Sequence, residues 1–292
     1  MRAMMPTAPP KDSAITIGDA EFDRICDFLY RRTGMIFGEV KRHYVDRRLR
    51  ERIEASGHDS FRDYFTMMLA DTDEYERLVS SFTINETYFY REEYQFRCLT
   101  TSVLPLVTQH KRRGDTIRLW SLPCATGEEP YSIAIWLLEN WASVDDWQVE
   151  IVGSDIDTTA LRTAAAGLYG ARSLMRLPTS VTDRYFTRTE DGHFQLIPDL
   201  CSSIRFTRVN VMDRAAMAAH GRFDVILCRN MLIYFDDKSR REAIGNMYDC
   251  LVDGGFIFLG HAESMSRVSS LFQVRRFDET ILYQKNTETA HG

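Results

Sequence analysis

Between residues 19 and 82 apolar side chains recur at helical spacing, whereas after Gly114 short apolar runs alternate with amphipathic stretches. Phe22, Ile25, Phe28 and Leu29 share one helical face, with Asp19 as the expected N-cap and Gly34 as the stop. Further helices are expected from Val40 to Ser56, closing at Gly57, from Ser60 to Leu69 and from Asp73 to Phe82. No period-two pattern occurs here, so residues 15–90 are expected to form an all-α unit, joined by a linker helix over 91–114 to the remainder, 115–292.

The remainder reads strand, helix, strand. Strands are expected at 116–121, 149–154, 204–209, 223–228 and 256–259, with helices at 128–140, 157–166 and 237–251, the last ending at Asp253-Gly-Gly. The run Phe223 to Cys228 is apolar almost throughout, as in a central parallel strand. Segments 272–277 and 280–284 flank Asp278-Glu279 and predict a closing antiparallel hairpin. Such alternation implies an α/β fold, a parallel sheet covered by helices on both faces. One interval is too long: about fifty residues separate the strand ending at Asp155 from the one beginning at Ile204. A βα unit needs only about thirty. Tyr185 to Ile197 reads as two short strands around an Asp-Gly turn, so a small antiparallel β-subdomain is expected at about 175–205.

Composition narrows the setting. The 292 residues can bury a substantial core and suit two domains. A net charge of −6 argues against bulk nucleic-acid binding. Six cysteines are scattered with no Cys-x-x-Cys pair, and seven histidines show no ligand spacing, so neither a metal site nor a disulfide framework is indicated. No apolar run approaches the ~20 residues that span a bilayer. Residues 1–14 lack the apolar core of a signal peptide and read as a flexible tail, and a cytoplasmic location without membrane insertion is expected.

Chemistry concentrates at strand ends. The run from Arg118 to Ser132 is a buried strand, a tight turn at Gly127, then a helix opened by Glu128 and Glu129. A nucleotide cofactor docks at such a turn in open α/β sheets. Paired acids at the helix entrance repel a pyrophosphate, and a Gly-x-Gly-x-x-Gly loop is missing. The turn suits an adenosine-bearing ligand with positive charge, as in S-adenosylmethionine. Glu128 either stabilises the first helical turn or approaches the methionine moiety. Asp155, ending the second strand, can accept the ribose hydroxyls, and Asp157 can cap the next helix alone. Arg229 and Asn230 follow the apolar strand where ligands bind, although Asn230 can also be a helix cap; Tyr234 lines that pocket or packs on the following helix. Asn85, Thr87 and Arg91, between the two units, are hydrogen-bonding candidates, with capping favoured for the first two. On the helix after Val40, Lys41, Arg48 and Arg52 lie within about 40° of one another at about 100° per residue, giving either a solvated face or a dock for an acidic partner.

Taken together, these motifs resemble the CheR family of S-adenosylmethionine-dependent chemoreceptor methyltransferases. The carriers are Lys41-Arg and its basic helix, Thr83-Ile-Asn-Glu-Thr-Tyr-Phe-Tyr-Arg-Glu, and Ala125-Thr-Gly-Glu-Glu-Pro-Tyr-Ser. Gly153-Ser-Asp-Ile-Asp, Cys228-Arg-Asn-Met-Leu-Ile-Tyr-Phe-Asp and Gly260-His-Ala-Glu-Ser complete them. The resemblance implies a class I methyltransferase sheet with an inserted β-subdomain behind an all-α domain. It also implies methyl transfer to receptor glutamates, with S-adenosylhomocysteine as product. Cofactor contacts implied by position are Asn85, Thr87, Arg91, Glu128, Asp155, Asn210, Val211, Arg229 and Asn230, with no metal. Arg91, Arg229 and Tyr234 are the candidates near the reacting groups, and none is expected to be a dedicated base. Lys41, Arg48 and Arg52 are implied to face the cytoplasmic methylation region of a receptor. The loop at Arg188-Thr-Glu-Asp-Gly-His-Phe is shorter than in relatives that bind a receptor's C-terminal pentapeptide, so such tethering is expected to be absent or weak.

Overall fold

The computed structural model describes residues 15–264 and 270–286; the tail expected at 1–14 lies outside the described residues. Four helices form the first unit: α1 (Asp19–Thr33), α2 (Arg42–Ala55), α3 (Phe61–Ala70) and α4 (Thr72–Phe82). Ile25, Leu29, Val45, Leu49, Ile53 and Leu78 are fully buried at its centre with Tyr64 and Phe82. Local signals set the ends. The Ser60 hydroxyl accepts the Asp63 N–H, and the Asp71 carboxylate accepts those of Asp73 and Glu74. Gly18, rather than Asp19, is the N-cap of α1, because Glu21 reaches back to the Gly18 N–H at 2.9 Å.

The connecting segment expected as a helix over 91–114 is continuously helical from Glu93 to Thr108, with a π-helical turn inside it. It runs as α5 (Glu93–Cys98), a π-helical turn at Leu99–Val103, and α6 (Leu104–Thr108). The second unit follows with β1 (Thr116–Ser121), α7 (Glu128–Asn140), β2 (Gln148–Asp155), α8 (Thr158–Ala166) and β3 (Leu168–Tyr169). Next come α9 (Thr179–Tyr185), β4 (Phe186–Arg188), β5 (Phe194–Leu196), α10 (Pro198–Ser203), β6 (Ile204–Arg208) and α11 (Arg214–Ala218). The chain closes with β7 (Phe223–Cys228), α12 (Asp237–Asp249), β8 (Leu251–Leu259), β9 (Phe272–Phe277) and β10 (Thr280–Lys285).

The main sheet has the order β6-β2-β1-β7-β8-β10-β9. Its first five strands are parallel, and β10 and β9 are added antiparallel. From β1 the chain winds outward through β2 to β6, then returns to build β7 and β8 on the other side. The order therefore reverses between β1 and β7, and the crevice beyond their carboxyl ends is where such sheets take ligands.

Two boundaries differ from the sequence pattern. The inserted sheet is three-stranded, β3-β5-β4, and begins at Leu168, ahead of the expected 175. A two-residue strand leaves no readable alternation. Meanwhile β8 begins at Leu251, so Asp253-Gly-Gly lies inside a strand and does not end α12. The glycines serve a register shift opposite Phe223 and Val225: Gly254 has φ 77°, and a Cβ on Gly255 would stand 2.9 Å from the Val252 carbonyl oxygen.

Candidate active site

A cavity of about 270 Å³ opens at the carboxyl ends of β1, β2 and β7, roofed by the chain between α4 and α5. Its floor is the turn after β1. Ala125 and Gly127 both have positive φ, 47° and 93°. A Cβ on Gly127 would lie 2.8 Å from the Ala164 Cβ of α8, so the turn packs too closely on that helix for any side chain. Asp155 bolts the turn to β2, one carboxylate oxygen accepting the Ala125 N–H at 2.8 Å and the other the Asp157 N–H at 2.9 Å. Burial pushes the Asp155 carboxyl up to about 6 against the pull of those backbone donors.

Asp157 takes the capping role. It accepts the N–H groups of Thr159 and Ala160 at the start of α8, the Thr83 hydroxyl at 2.6 Å and the Asn85 amide at 2.7 Å. Asp155 is thereby left facing the cavity, and Asn85 is fixed at its edge. Thr87, Arg91, Asn210, Val211, Arg229, Asn230 and Tyr234 line the same space. The Asn210 amide also donates to the Arg32 carbonyl at 2.6 Å, tying the end of α1 to the cavity wall. Arg91 donates to the Glu86 carbonyl at 2.6 Å, and its guanidinium carbon lies 5.8 Å from the Tyr88 ring centre.

Glu128 does not reach the cavity. One residue turns a helix by about 100°, and Glu128 points toward the inserted subdomain, where it accepts the hydroxyls of Thr126 (2.6 Å) and Ser173 (3.1 Å). Glu129 faces the cavity instead, accepting the Ser121 hydroxyl at 2.7 Å and pairing with Arg229 at 2.9 Å. Burial raises the carboxyls of both Glu128 and Glu129; for Glu129 the adjacent Arg229 charge works against it.

Glu263 is a second residue that pattern reading did not single out, although Gly260-His-Ala-Glu-Ser contained it, and it shapes the cavity wall through Asn230. One of its carboxylate oxygens accepts the N–H groups of Asn230 (2.8 Å) and Gly260 (2.9 Å), holding Asn230 at φ 59°. A Cβ on Gly260 would meet the Asn230 amide at 2.8 Å.

The basic helix divides. The Lys41 ammonium is 5.5 Å from the Tyr234 ring centre, at the rim of the cavity, and exposed. Arg48 stacks over Tyr44 at 5.5 Å and pairs with Glu51. Arg52 is turned inward, gripping the buried carboxylate of Glu74 with two nitrogens while Tyr64 donates to the same group at 3.0 Å. An unpaired buried carboxylate is costly, so this guanidinium serves the helical core and presents less of itself to a partner than Arg48 does. Among the described residues no group of three or more potential metal ligands occurs, and no helix is long and apolar enough to cross a membrane.

The cavity combines a buried carboxylate, apolar walls and a glutamate–arginine pair whose Arg229 Nε has no partner among the described residues, which fits a polar, adenosine-bearing cation. Comparison with known proteins agrees. The family model for the CheR methyltransferase all-alpha domain matches residues 20–83, and that for the CheR methyltransferase SAM binding domain matches 85–281. Chemotaxis protein methyltransferase 2 of Vibrio cholerae is 48% identical over 273 residues, covering 93% of this chain and 94% of that protein. The chemotaxis protein methyltransferase of Salmonella typhimurium is 34% identical over 268 residues, covering 89% of each, and that of Escherichia coli is 32% identical over 268 residues, covering 89% and 90%. Most residues that line the cavity fall in the segment matched by the SAM binding domain, and the chain belongs to the CheR methyltransferase family.

Proposed function

We propose that this protein transfers the methyl group of S-adenosylmethionine to glutamate side-chain carboxylates in the cytoplasmic methylation region of chemoreceptors, leaving glutamate methyl esters for chemotactic adaptation. The observation that carries this reading is the open rim of the cavity. Arg91 and Lys41 place cationic groups there, while Ile84 and Ile233 expose apolar surface at the same opening. That mixture suits a carboxylate presented on a larger partner rather than a small, fully enclosed acceptor.

In this reading Asp155 takes the ribose hydroxyls, Asn210 and Val211 flank the adenine, and Asn85, Thr87 and Asn230 complete the polar contacts. The bound cofactor supplies a methyl group already activated on a sulfonium. A glutamate, ordinarily titrating near 4.3, arrives ionised at neutral pH and needs no base. What the chain adds is alignment and exclusion of water. Both Nη atoms of Arg229 are taken up by Glu129, Glu92 and the Arg91 carbonyl, which leaves Arg91, with Tyr234 beside it, to orient the incoming carboxylate.

The test is transfer of labelled methyl to receptor cytoplasmic fragments. Label released by mild base is the expected result; absence of label across several receptors would favour another protein or a small-molecule acceptor. The hairpin between β4 and β5 closes over only Thr189–His193, pinned by the Thr189 hydroxyl to Asp191 and the His193 carbonyl. Titration calorimetry with a receptor C-terminal pentapeptide is accordingly expected to show no tight binding.

A further inference from the structure

Arg229 is enclosed on all sides by groups that differ in what they face. Its Nη1 donates to Glu129 at 2.9 Å, and its Nη2 donates to the Arg91 carbonyl and lies 3.5 Å from Glu92. Arg229 and Glu129 line the cavity, whereas Glu92 stands behind them. The backbone at Glu92 is left-handed (φ 58°), a conformation uncommon for a residue with a side chain, and it places the carboxylate against the arginine.

Glu92 is also unusually well gripped. It meets His261 Nδ1 at 2.9 Å, the Gln95 amide at 2.9 Å and the Tyr94 hydroxyl at 3.3 Å; Gln95 in turn donates to the Leu259 carbonyl at the end of β8. Burial pushes the Glu92 carboxyl up, but the Arg229 charge and the His261 hydrogen bond outweigh it and hold the group below the usual range. Two carboxylates thus meet one guanidinium at this wall, with the largely exposed His261 ring on Glu92.

We propose that Glu92 is a positioning residue that sets the charge preference of the cofactor site. By neutralising Arg229 from behind, it leaves the Glu129 charge to act on the cavity. The wall then favours the sulfonium form, net +1, over the product S-adenosylhomocysteine, whose sulfur is uncharged. Product release is thereby assisted by the same carboxylate that helps retain the substrate form. The inference rests on the cofactor and not on the acceptor.

The experiment is calorimetric titration of the full chain with S-adenosylmethionine and S-adenosylhomocysteine separately, which requires no receptor, so its outcome is independent of the glutamate reading. Glu92→Gln removes one charge with little change of shape. At an effective dielectric constant of about 20, the loss of one charge beside the site corresponds to roughly tenfold in affinity. The Kd for S-adenosylmethionine is expected to rise about tenfold and that for S-adenosylhomocysteine about twofold or less. A misfolded fraction scales both apparent affinities alike, so the ratio reports charge alone. A ratio within twofold of the parent, even with both affinities reduced, would overturn the proposal. Glu92→Asp, which keeps the charge, is expected to hold the ratio, and a shift as large as that of the Gln variant would also overturn it.

Discussion

Replacing Asp155 by alanine is expected to weaken S-adenosylmethionine binding by at least about a hundredfold. A hydrogen bond to a charged acceptor contributes about 1.5–3 kcal/mol, and the proposed role gives Asp155 two of them, one from each ribose hydroxyl. The same carboxylate holds the Ala125 and Asp157 N–H groups, so alanine also loosens the turn beneath the ligand. Asparagine, retaining one acceptor oxygen, is expected to fall between alanine and the parent. Equilibrium dialysis with labelled cofactor measures this directly, and unchanged affinity in the alanine variant would remove Asp155 from the site.

A pH dependence follows from the same group. Its carboxyl is raised by burial from 3.8 to about 6. In the unliganded protein the folded state therefore holds a proton that the unfolded state has lost between those values, so this group's contribution to stability falls as pH rises from about 4 to 6. Ribose hydroxyls donate to the ionised form. Cofactor affinity should thus be level above about pH 6 and fall below it, by up to tenfold per unit. The Asp155→Asn variant, with nothing to titrate there, should lose that slope.

Much of this site was legible because its scaffold is written in continuous apolar runs. The boundaries of β1, α7 and β7 coincide with those expected, since Thr116–Ser121 and Phe223–Cys228 are buried along most or all of their length and Gly127 marks a turn that tolerates no side chain. The motifs also located Asp155, Arg229 and Asn230 on the right strand ends. What pattern could not supply was facing. Glu128 and Glu129 are adjacent and chemically equal, and only the packing of α7 against the inserted subdomain sends the first to Ser173 and the second to the cavity. Arg52 fell on the same charged stripe as Arg48, yet its partner Glu74 comes from α4, after the intervening α3. Glu92 and Glu263 escaped for a related reason: each acts on Arg229 or Asn230 from a segment remote in sequence.

Arg229→Met is the substitution expected to do the greatest damage, through stability as well as binding. The arginine side chain is 3% exposed and compensates Glu129 and Glu92, themselves 11% and 10% exposed. Removing one partner of a buried ion pair costs about 3–5 kcal/mol, because the charge left behind has neither water nor a counter-ion. For a unit of this size each kcal/mol lowers the melting temperature by about 2–4 °C, so a fall on the order of 10 °C is expected by calorimetry. Cofactor binding should be lost as well, since Glu129 would then be protonated or displaced. A second change separates the two effects. In Arg229→Met combined with Glu129→Gln, one orphaned charge is gone, and melting temperature should recover in part while cofactor binding does not. Full stability in the single variant would mean that water reaches both carboxylates, and the enclosure of Arg229 by Phe96, Glu92 and Glu129 would then be too loose to orient anything.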